Sequence, residues 1–430
     1  MAVVLVCDNV ADEGLEILVA EHEVIEAGDW SRAQVLAKVG TADALVVRSG
    51  TLVDAEMIEA GTRLRAIARA GVGVDNIDVA AATRRGIAVV NCPTGNTISA
   101  AEHAMGMMLA AARKIPAADA EMKSGQWPKK ECIGRQLYGK TLGIVGLGRI
   151  GQEVAQRARA FEMKLLAADP FVSEELAREH GAELVALDEL LARADFVSLH
   201  ATVTAGSPPL IGAEELAMMK RDAVLVNCAR GSLVDEGALA DALADGRLAA
   251  AALDVFAHEP EPDARLVGMR NVVATPHVAA STEEAQAHVA REAARQVVDV
   301  LAGRRPRWPV NVPALGPDEV ASIGPYLPLA EQIGRLHAAL LENVPERVQF
   351  NVLGGLSPEH LSAIGGHFLA GLLGRVADEP VNYVNAPMIA EERGVRTDEM
   401  RLIGPDDPAS RRGYSELVQV TVTDSVGSRT

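Results

Sequence analysis

Aromatic residues are scarce in this 430-residue chain, at 3%. Ala, Val and Leu must then fill the interior. That suits layered α/β packing and leaves little aromatic surface on which bases could stack. Basic residues are also in deficit, with 41 Lys and Arg against 59 Asp and Glu, a net charge of −18. Nucleic acids and anionic membranes are held by clustered cations, so neither is expected as a partner. An anionic small molecule would need a local basic pocket set against the global field.

Cysteine is nearly absent. Cys7, Cys92, Cys132 and Cys228 form no CxxC pair and have no histidine spacing of a zinc site. No metal is therefore expected, and the thiols are expected to be free in a reducing compartment. No apolar run reaches the length of a membrane span. The chain start meets Asp8 without a basic leader or signal core. The expected location is cytoplasmic. What remains is ordinary for a soluble protein, 49% apolar and 23% charged, and the length implies two or three domains.

Short β-branched runs alternate with helical patterns from the start. Strands are expected at 2–7, 44–47, 65–68 and 87–90, and helices at 11–20, 32–39, 54–60 and 76–84. This βα repetition predicts a parallel sheet covered on both faces. A long helix is expected over 99–114. A second series follows, with strands at 142–145, 164–168, 196–199, 223–227, 249–253 and 272–274. Six parallel strands make a full dinucleotide-binding domain. A helical pattern over 282–301 leads into a linker with prolines at 306, 309, 313 and 317. Beyond it come the glycine pairs Gly354-Gly355 and Gly365-Gly366 and a strand pattern at 416–422. The chain then stops at a turn with no return strand, so this last domain is expected to be cut short, with strand edges exposed.

Gly146-Leu147-Gly148-Arg149-Ile150-Gly151 follows a strand and opens a helix. In that setting Gly146 permits a tight turn, Gly148 lets the backbone approach a pyrophosphate, and Gly151 allows close helix–strand packing. The helix N-terminus offers N–H groups to the anion. The next strand ends at Asp169, whose carboxylate can accept from both ribose hydroxyls and repel a 2′-phosphate, favouring NAD over NADP.

Three segments fall at the carboxyl ends of later strands, where ligands bind in open α/β sheets. They carry Arg230, then Asp254 and Glu259, then His277. Oxidising a secondary alcohol needs a base for the hydroxyl proton, and imidazole is suited near neutral pH. Glu259 can hold that imidazole. Arg230 offers a planar fork to a carboxylate and polarises the nascent carbonyl. Asp254 is expected to face the nicotinamide end.

The segments Arg48-Ser49-Gly50-Thr51, Arg69-Ala70-Gly71-Val72-Gly73-Val74-Asp75-Asn76-Ile77-Asp78, 91–102, 140–151 and the three above resemble the D-isomer-specific 2-hydroxyacid dehydrogenases over about residues 2–315. The resemblance implies two Rossmann/flavodoxin-like parallel-sheet domains with the active site in a cleft between them. Residues 1–93 and 282–315 would form the substrate-binding domain, and 94–281 the NAD-binding domain. It implies Arg230, Glu259 and His277 as the catalytic set. It also implies cofactor contacts from Val72, Gly146, Gly148, Arg149, Ile150, Gly151, Asp169, Cys228, Ala229, Asp254, Ala279 and Ala280. Substrate contacts are implied for Arg48, Ser49, Gly50, Val72, Gly73, Asn76, Arg230 and His277, with the amides of Val72 and Gly73 on the carboxylate and Arg48 on a phosphate. A homodimer or homotetramer formed through the helix near 99–114 and the segment 127–135 is implied as well.

Residues 382–394 further resemble the intervening domain of the long members of this family, so 316–430 is read as a partial α+β intervening domain with no serine-binding ACT domain after it. On this resemblance the expected reaction is NAD-dependent oxidation of 3-phospho-D-glycerate to 3-phosphohydroxypyruvate, which opens the phosphorylated route to L-serine. The alternatives are another D-2-hydroxyacid dehydrogenase, such as a glyoxylate or hydroxypyruvate reductase, and a non-enzymatic NAD-sensing protein on the same scaffold. One departure stands out. The family's His-Thr-Pro reads His200-Ala201-Thr202 here, ahead of Gly206-Ser207-Pro208-Pro209, so one cofactor contact is lost at 201 or moves to Thr202.

Overall fold

Strands buried on both faces must be apolar at every position, and the first sheet shows this. In β1 (Val3–Val6), Val4 and Val6 face one core cluster and Leu5 the opposite one. In β3 (Ala44–Val47), Ala44 and Val46 divide from Leu45 and Val47 in the same way. These strands join β2 (Glu23–Glu26), β4 (Ala66–Arg69) and β5 (Ala88–Val90) in the order β2-β1-β3-β4-β5, every pair parallel. That is the flavodoxin-like order. The helix Glu283–Leu301 covers one face with Val289, Ala293, Val297 and Val300.

The second sheet is doubly wound. Its strands are β6 (Thr141–Val145), β7 (Lys164–Ala168), β8 (Ala182–Leu184), β9 (Phe196–Leu199), β10 (Val224–Asn227), β11 (Ala250–Leu253) and β12 (Val272–Ala274), ordered β12-β11-β10-β9-β6-β7-β8 and all parallel. Seven strands stand where six were expected. The additional one, β8, is a three-residue edge strand of which only Ala182 is buried, so it carries no apolar run to read. The strand order reverses between β6 and β9, the switch point at which such sheets bind ligands. The helix Thr97–Arg113 packs Ala100, Ala104, Met108 and Ala111 against this sheet.

The remaining sheet is mixed. β13 (Arg347–Leu353) pairs parallel with β14 (Arg396–Leu402) and antiparallel with β15 (Leu417–Thr423). A two-residue strand, β16 (Ser428–Arg429), closes against β15. The return strand that the sequence lacked is thus present. Asp424 builds its turn by accepting from the amides of Val426 and Gly427, at 2.9 and 3.0 Å, and from Arg429 at 3.0 Å.

This computed structural model describes every residue except 203–206, 317–318, 320–321, 342, 344, 354–355, 376, 378–379 and 403–416. Gly206, the pair Gly354-Gly355 and Glu416 lie outside the described residues. Contacts divide the chain into two units, Met1–Gly95 with Gln286–Thr430, and Asn96–Ala285. Among the described residues no helix is long and apolar enough to cross a membrane.

Candidate active site

In the Asn96–Ala285 unit, the turn after β6 requires its glycines. Gly146 sits at φ +90°, and a Cβ there would meet the backbone of His200 and Ala201 at 2.7–2.8 Å. A Cβ on Gly151 would lie 2.2 Å from the Gly146 carbonyl oxygen. Gly148 differs, because no atom lies within 4 Å of its Cβ position. This exposed backbone opens the helix Arg149–Ala160, whose first turn holds no acidic residue. An anion can therefore approach the free N–H groups without a side chain in the way. Asp169 lies against the same loop, accepting from the Leu147 amide at 2.8 Å and the Phe171 amide at 2.9 Å. The donor set and the open cradle fit a dinucleotide. Among the described residues no group of three or more His, Cys, Asp or Glu side chains could hold a metal ion.

The three strand-end segments converge at the carboxyl edge. A Cβ on Gly231 would lie 2.0 Å from the Phe256 carbonyl carbon, so only glycine lets the Arg230 segment pack against the Asp254–Glu259 segment. Arg230 is half-buried, and one Nη donates to the Ala229 carbonyl at 2.7 Å. Glu259 accepts from the Phe256 amide at 3.0 Å through Oε1, while Oε2 lies 2.7 Å from His277 Nδ1. The other ring nitrogen of His277, Nε2, is left for a reacting group. His277 is in the left-handed region, at φ +52°, a conformation that surroundings must impose on a non-glycine residue.

Asp254 imposes it. Its carbonyl accepts from the His277 amide at 2.7 Å. Its carboxylate accepts from Thr275 Oγ1 at 2.6 Å and from the amides of Val278 and Ala279, each at 2.9 Å. His103 Nε2 lies 3.3 Å from the same carboxylate and 3.1 Å from Thr275 Oγ1. Burial alone would raise the Asp254 pKa, but these hydrogen bonds outweigh it and hold the group below the ordinary carboxylate range. Asp254 is 0% exposed. Asp254 was expected to face the nicotinamide; the structure shows its buried carboxylate accepting from Thr275, Val278 and Ala279, and so positioning the His277 loop. His103 and Thr275 were not anticipated. Thr275 adjoins the Pro276-His277 motif, whereas His103 lies inside a helix with no local mark of its role.

Two other cofactor candidates, Cys228 and Ala279, are buried in the core of this unit. The Cys228 thiol is pushed up by burial and by Asp254, which keeps it uncharged. Burial lowers His200 to about 4, so it is neutral at pH 7, with Nε2 2.8 Å from Ser198 Oγ. Ala201 is half-buried and Thr202 exposed.

The other candidates belong to the unit containing Met1–Gly95. Asn91 Nδ2 donates to the Val72 carbonyl at 2.6 Å, and the Cys92 amide donates to Gly71 at 2.8 Å. Val72 and Gly73 are half-exposed, and their amides donate to no acceptor among the described residues. Arg48 Nη1 donates to the Asn9 carbonyl at 3.0 Å. Asn76, expected to touch substrate, donates both Nδ2 hydrogens to the carbonyls of Arg48 and Thr51, at 2.7 and 2.6 Å, and so shapes the Arg48 loop.

Residues 105–279 match the family model for the NAD binding domain of the D-isomer specific 2-hydroxyacid dehydrogenases. This sets the class: an NAD-dependent dehydrogenase of D-2-hydroxy acids. Solved structures agree. A glyoxylate reductase from Paecilomyes thermophila is 33% identical, with a TM-score of 0.65 over 72% of this chain and 98% of that one. The D-lactate dehydrogenase of Escherichia coli is 26% identical, with a TM-score of 0.64 over 72% and 100%. Residues 322–430 match the D-3-phosphoglycerate dehydrogenase intervening domain. The D-3-phosphoglycerate dehydrogenase of Methanocaldococcus jannaschii is 44% identical over 98% of this chain and 79% of its own length. That of Synechocystis sp. is 46% identical over 99% and 76%. The chain belongs to the D-3-phosphoglycerate dehydrogenase family.

Proposed function

We propose that the chain oxidises 3-phospho-D-glycerate to 3-phosphohydroxypyruvate with NAD, opening the phosphorylated route to L-serine. The observation that carries the chemistry is the 2.7 Å pair between His277 Nδ1 and Glu259 Oε2 at the carboxyl edge of the doubly wound sheet. His277 Nε2 takes the hydroxyl proton of the substrate. Glu259 holds Nδ1 as the donor and stabilises the imidazolium that forms. Arg230 binds the substrate carboxylate and polarises the new carbonyl. When bound, NAD would supply the hydride acceptor; Gly148, Arg149 and Ile150 would hold its pyrophosphate and Asp169 its adenosine ribose.

The substrate-binding part is assigned to residues 1–93 and 282–315, the NAD-binding part to 94–281, and the intervening part to 316–430. The amides of Val72 and Gly73 meet the carboxylate, and Arg48 meets the phosphate. The test is NADH formation from 3-phospho-D-glycerate beside D-glycerate and D-lactate, with phosphohydroxypyruvate and NADH run in reverse. Turnover of the phosphorylated pair is expected. Turnover of the unphosphorylated acids alone would move the chain to the glyoxylate and hydroxypyruvate reductases.

Arg48→Ala raises KM for the phosphorylated substrate by about tenfold to a hundredfold, the scale of one charge-assisted contact, and leaves KM for NAD unchanged. An unchanged KM for the phosphorylated substrate would remove the phosphate from Arg48. Asp169→Ala raises KM for NAD and improves the use of NADP relative to NAD. No relative gain with NADP would sink the ribose assignment.

We also assign the chain to the reducing cytoplasm, on four free cysteines of which three are buried, and to a homo-oligomer built on the NAD-binding part. Ile115, Met122, Trp127, Ile133 and Tyr138 are exposed there, Trp127 at 78%, and a partner copy would cover such apolar side chains. Sedimentation equilibrium is expected to return at least twice the chain mass. A chain sedimenting as a monomer at micromolar concentration would end this assignment.

A further inference from the structure

The helix Thr97–Arg113 meets the doubly wound sheet with Ala100, Ala104, Met107, Met108 and Ala111. His103 falls on the same side, one turn before Met107. An apolar side chain would fill that place at no polar cost. A histidine brings ring nitrogens whose burial is unfavourable unless they are paired. Its Nε2 is paired at the carboxyl ends of β11 and β12, 3.3 Å from Asp254 Oδ1 and 3.1 Å from Thr275 Oγ1.

The count of hydrogens decides which atom donates. Asp254 is held below the ordinary carboxylate range, so at neutral pH its oxygens only accept. The single hydroxyl proton of Thr275 therefore goes to Asp254 Oδ1, at 2.6 Å. Thr275 Oγ1 is left with lone pairs, so His103 Nε2 is the donor between those two side chains. The other neighbour of the hydroxyl, Met107 Sδ at 3.7 Å, has no hydrogen to give. Nε2 keeps its proton whether the ring is neutral in this tautomer or charged, so the contact does not depend on the charge of His103.

The segment that carries His277 is gripped on both sides. His103 holds Thr275, and the Asp254 carboxylate holds the amides of Val278 and Ala279, each at 2.9 Å. His277 stands between these anchors at φ +52°, with its own amide on the Asp254 carbonyl at 2.7 Å. A left-handed residue persists only where its surroundings impose that conformation, so its ring keeps its direction while both anchors hold.

We propose that His103 is a positioning residue for the reaction proposed above: through Thr275 and Asp254 it fixes segment 275–279 and so aims His277 Nε2 at the substrate hydroxyl. The effect on turnover rests on that reaction, whereas the effect on the His277 ring rests on the hydrogen bonds alone. A displacement of about 1 Å at a reacting group costs on the order of a hundredfold in rate, so the loss of one anchor is felt in the chemical step and not in cofactor binding.

The test compares the full chain with His103→Leu, which has no donor, and His103→Gln, whose amide restores one. In His103→Leu, kcat with 3-phospho-D-glycerate falls by about tenfold to a hundredfold while KM for NAD stays within about twofold. The primary deuterium isotope effect at the carbinol carbon rises above that of the wild type, because hydride transfer becomes slower than product release. His103→Gln recovers kcat to within about threefold of wild type. His103→Met, also without a donor, is the readout if His103→Leu does not fold. The ring nitrogen resonances of His277, identified by their loss in His277→Ala, shift in His103→Leu with NAD bound and return in His103→Gln. A wild-type kcat and isotope effect without the donor, a loss of equal size in His103→Gln, a raised KM for NAD at unchanged kcat, or unmoved His277 resonances each overturns the proposal. Shifted resonances in a chain that turns over none of the hydroxy acids would uphold the positioning and remove the proposed reaction.

Discussion

His277→Ala lowers kcat by about two to four orders of magnitude, the usual scale for losing a positioned general base, and leaves the melting temperature near that of the wild type. The two halves of this result have separate origins. The imidazole side chain is 42% exposed, so its removal opens no cavity in a packed core. Its Nδ1 contact to Glu259 is half-exposed as well, and pairs in that setting contribute little to stability. In the proposed reaction the substrate proton goes to Nε2, which the substitution removes. Single-turnover kinetics with thermal unfolding on one preparation checks both halves. A kcat within threefold of wild type would remove His277 from the reaction. A collapse in melting temperature would make it a structural residue instead.

Asp254→Ala does the reverse: it unfolds the protein more than it changes any contact with substrate. The substitution leaves Thr275 Oγ1, the amides of Val278 and Ala279, and His103 without their acceptor in a buried place. Removing one partner from a buried charged network costs about 3–5 kcal/mol. For a unit of this size that lowers the melting temperature by on the order of 10 °C. Because the same carboxylate holds the amides after His277, kcat falls as well, with KM for NAD less affected. The effect carries a pH signature. The folded pKa of Asp254 is depressed, so the stabilisation is complete above the ordinary carboxylate value of about 4 and is lost as the pH falls through the lower folded value. The gap in melting temperature between wild type and Asp254→Ala therefore narrows below about pH 4. A gap that stays constant into strong acid would show that the carboxylate charge is not what holds the loop.

In the two parallel sheets the strands missed in the sequence share one cause, whereas β13 and β14 of the mixed sheet were missed as well. β2 and β8 are edge strands of their sheets. In β2 two exposed glutamates flank half-buried Val24 and Ile25, and β8 has three residues. An edge is covered on fewer sides, so it needs no apolar run, and the apolar run is the signal that marks a buried strand. The helix Ile115–Lys123 escaped for a similar reason: it buries no residue, and only Pro116 in its first turn and Lys114 at φ +54° mark its start. The central strands of the two parallel sheets, buried from both faces, were all legible.

The site divides along the same line. Local chemistry was readable from residue order, since the glycine spacing, the carboxylate one strand later, and Arg230, Glu259 and His277 after successive strands are each set by backbone geometry within a few residues. Their partners were not. Nothing beside Asp254 in the sequence marks His103, Thr275, Val278 and Ala279 as its partners. Nothing beside Asn76 marks the carbonyls of Arg48 and Thr51 as the acceptors of its amide. Hydrophobic period, glycine spacing and residue type made the βα order, the glycine turn after β6 and the strand-end positions of Arg230, Glu259 and His277 legible before any fold was seen. Which carboxylate turns inward and which amide shapes a loop became visible in the folded chain, because hydrogen-bond partners distant in sequence are chosen by strand register and packing.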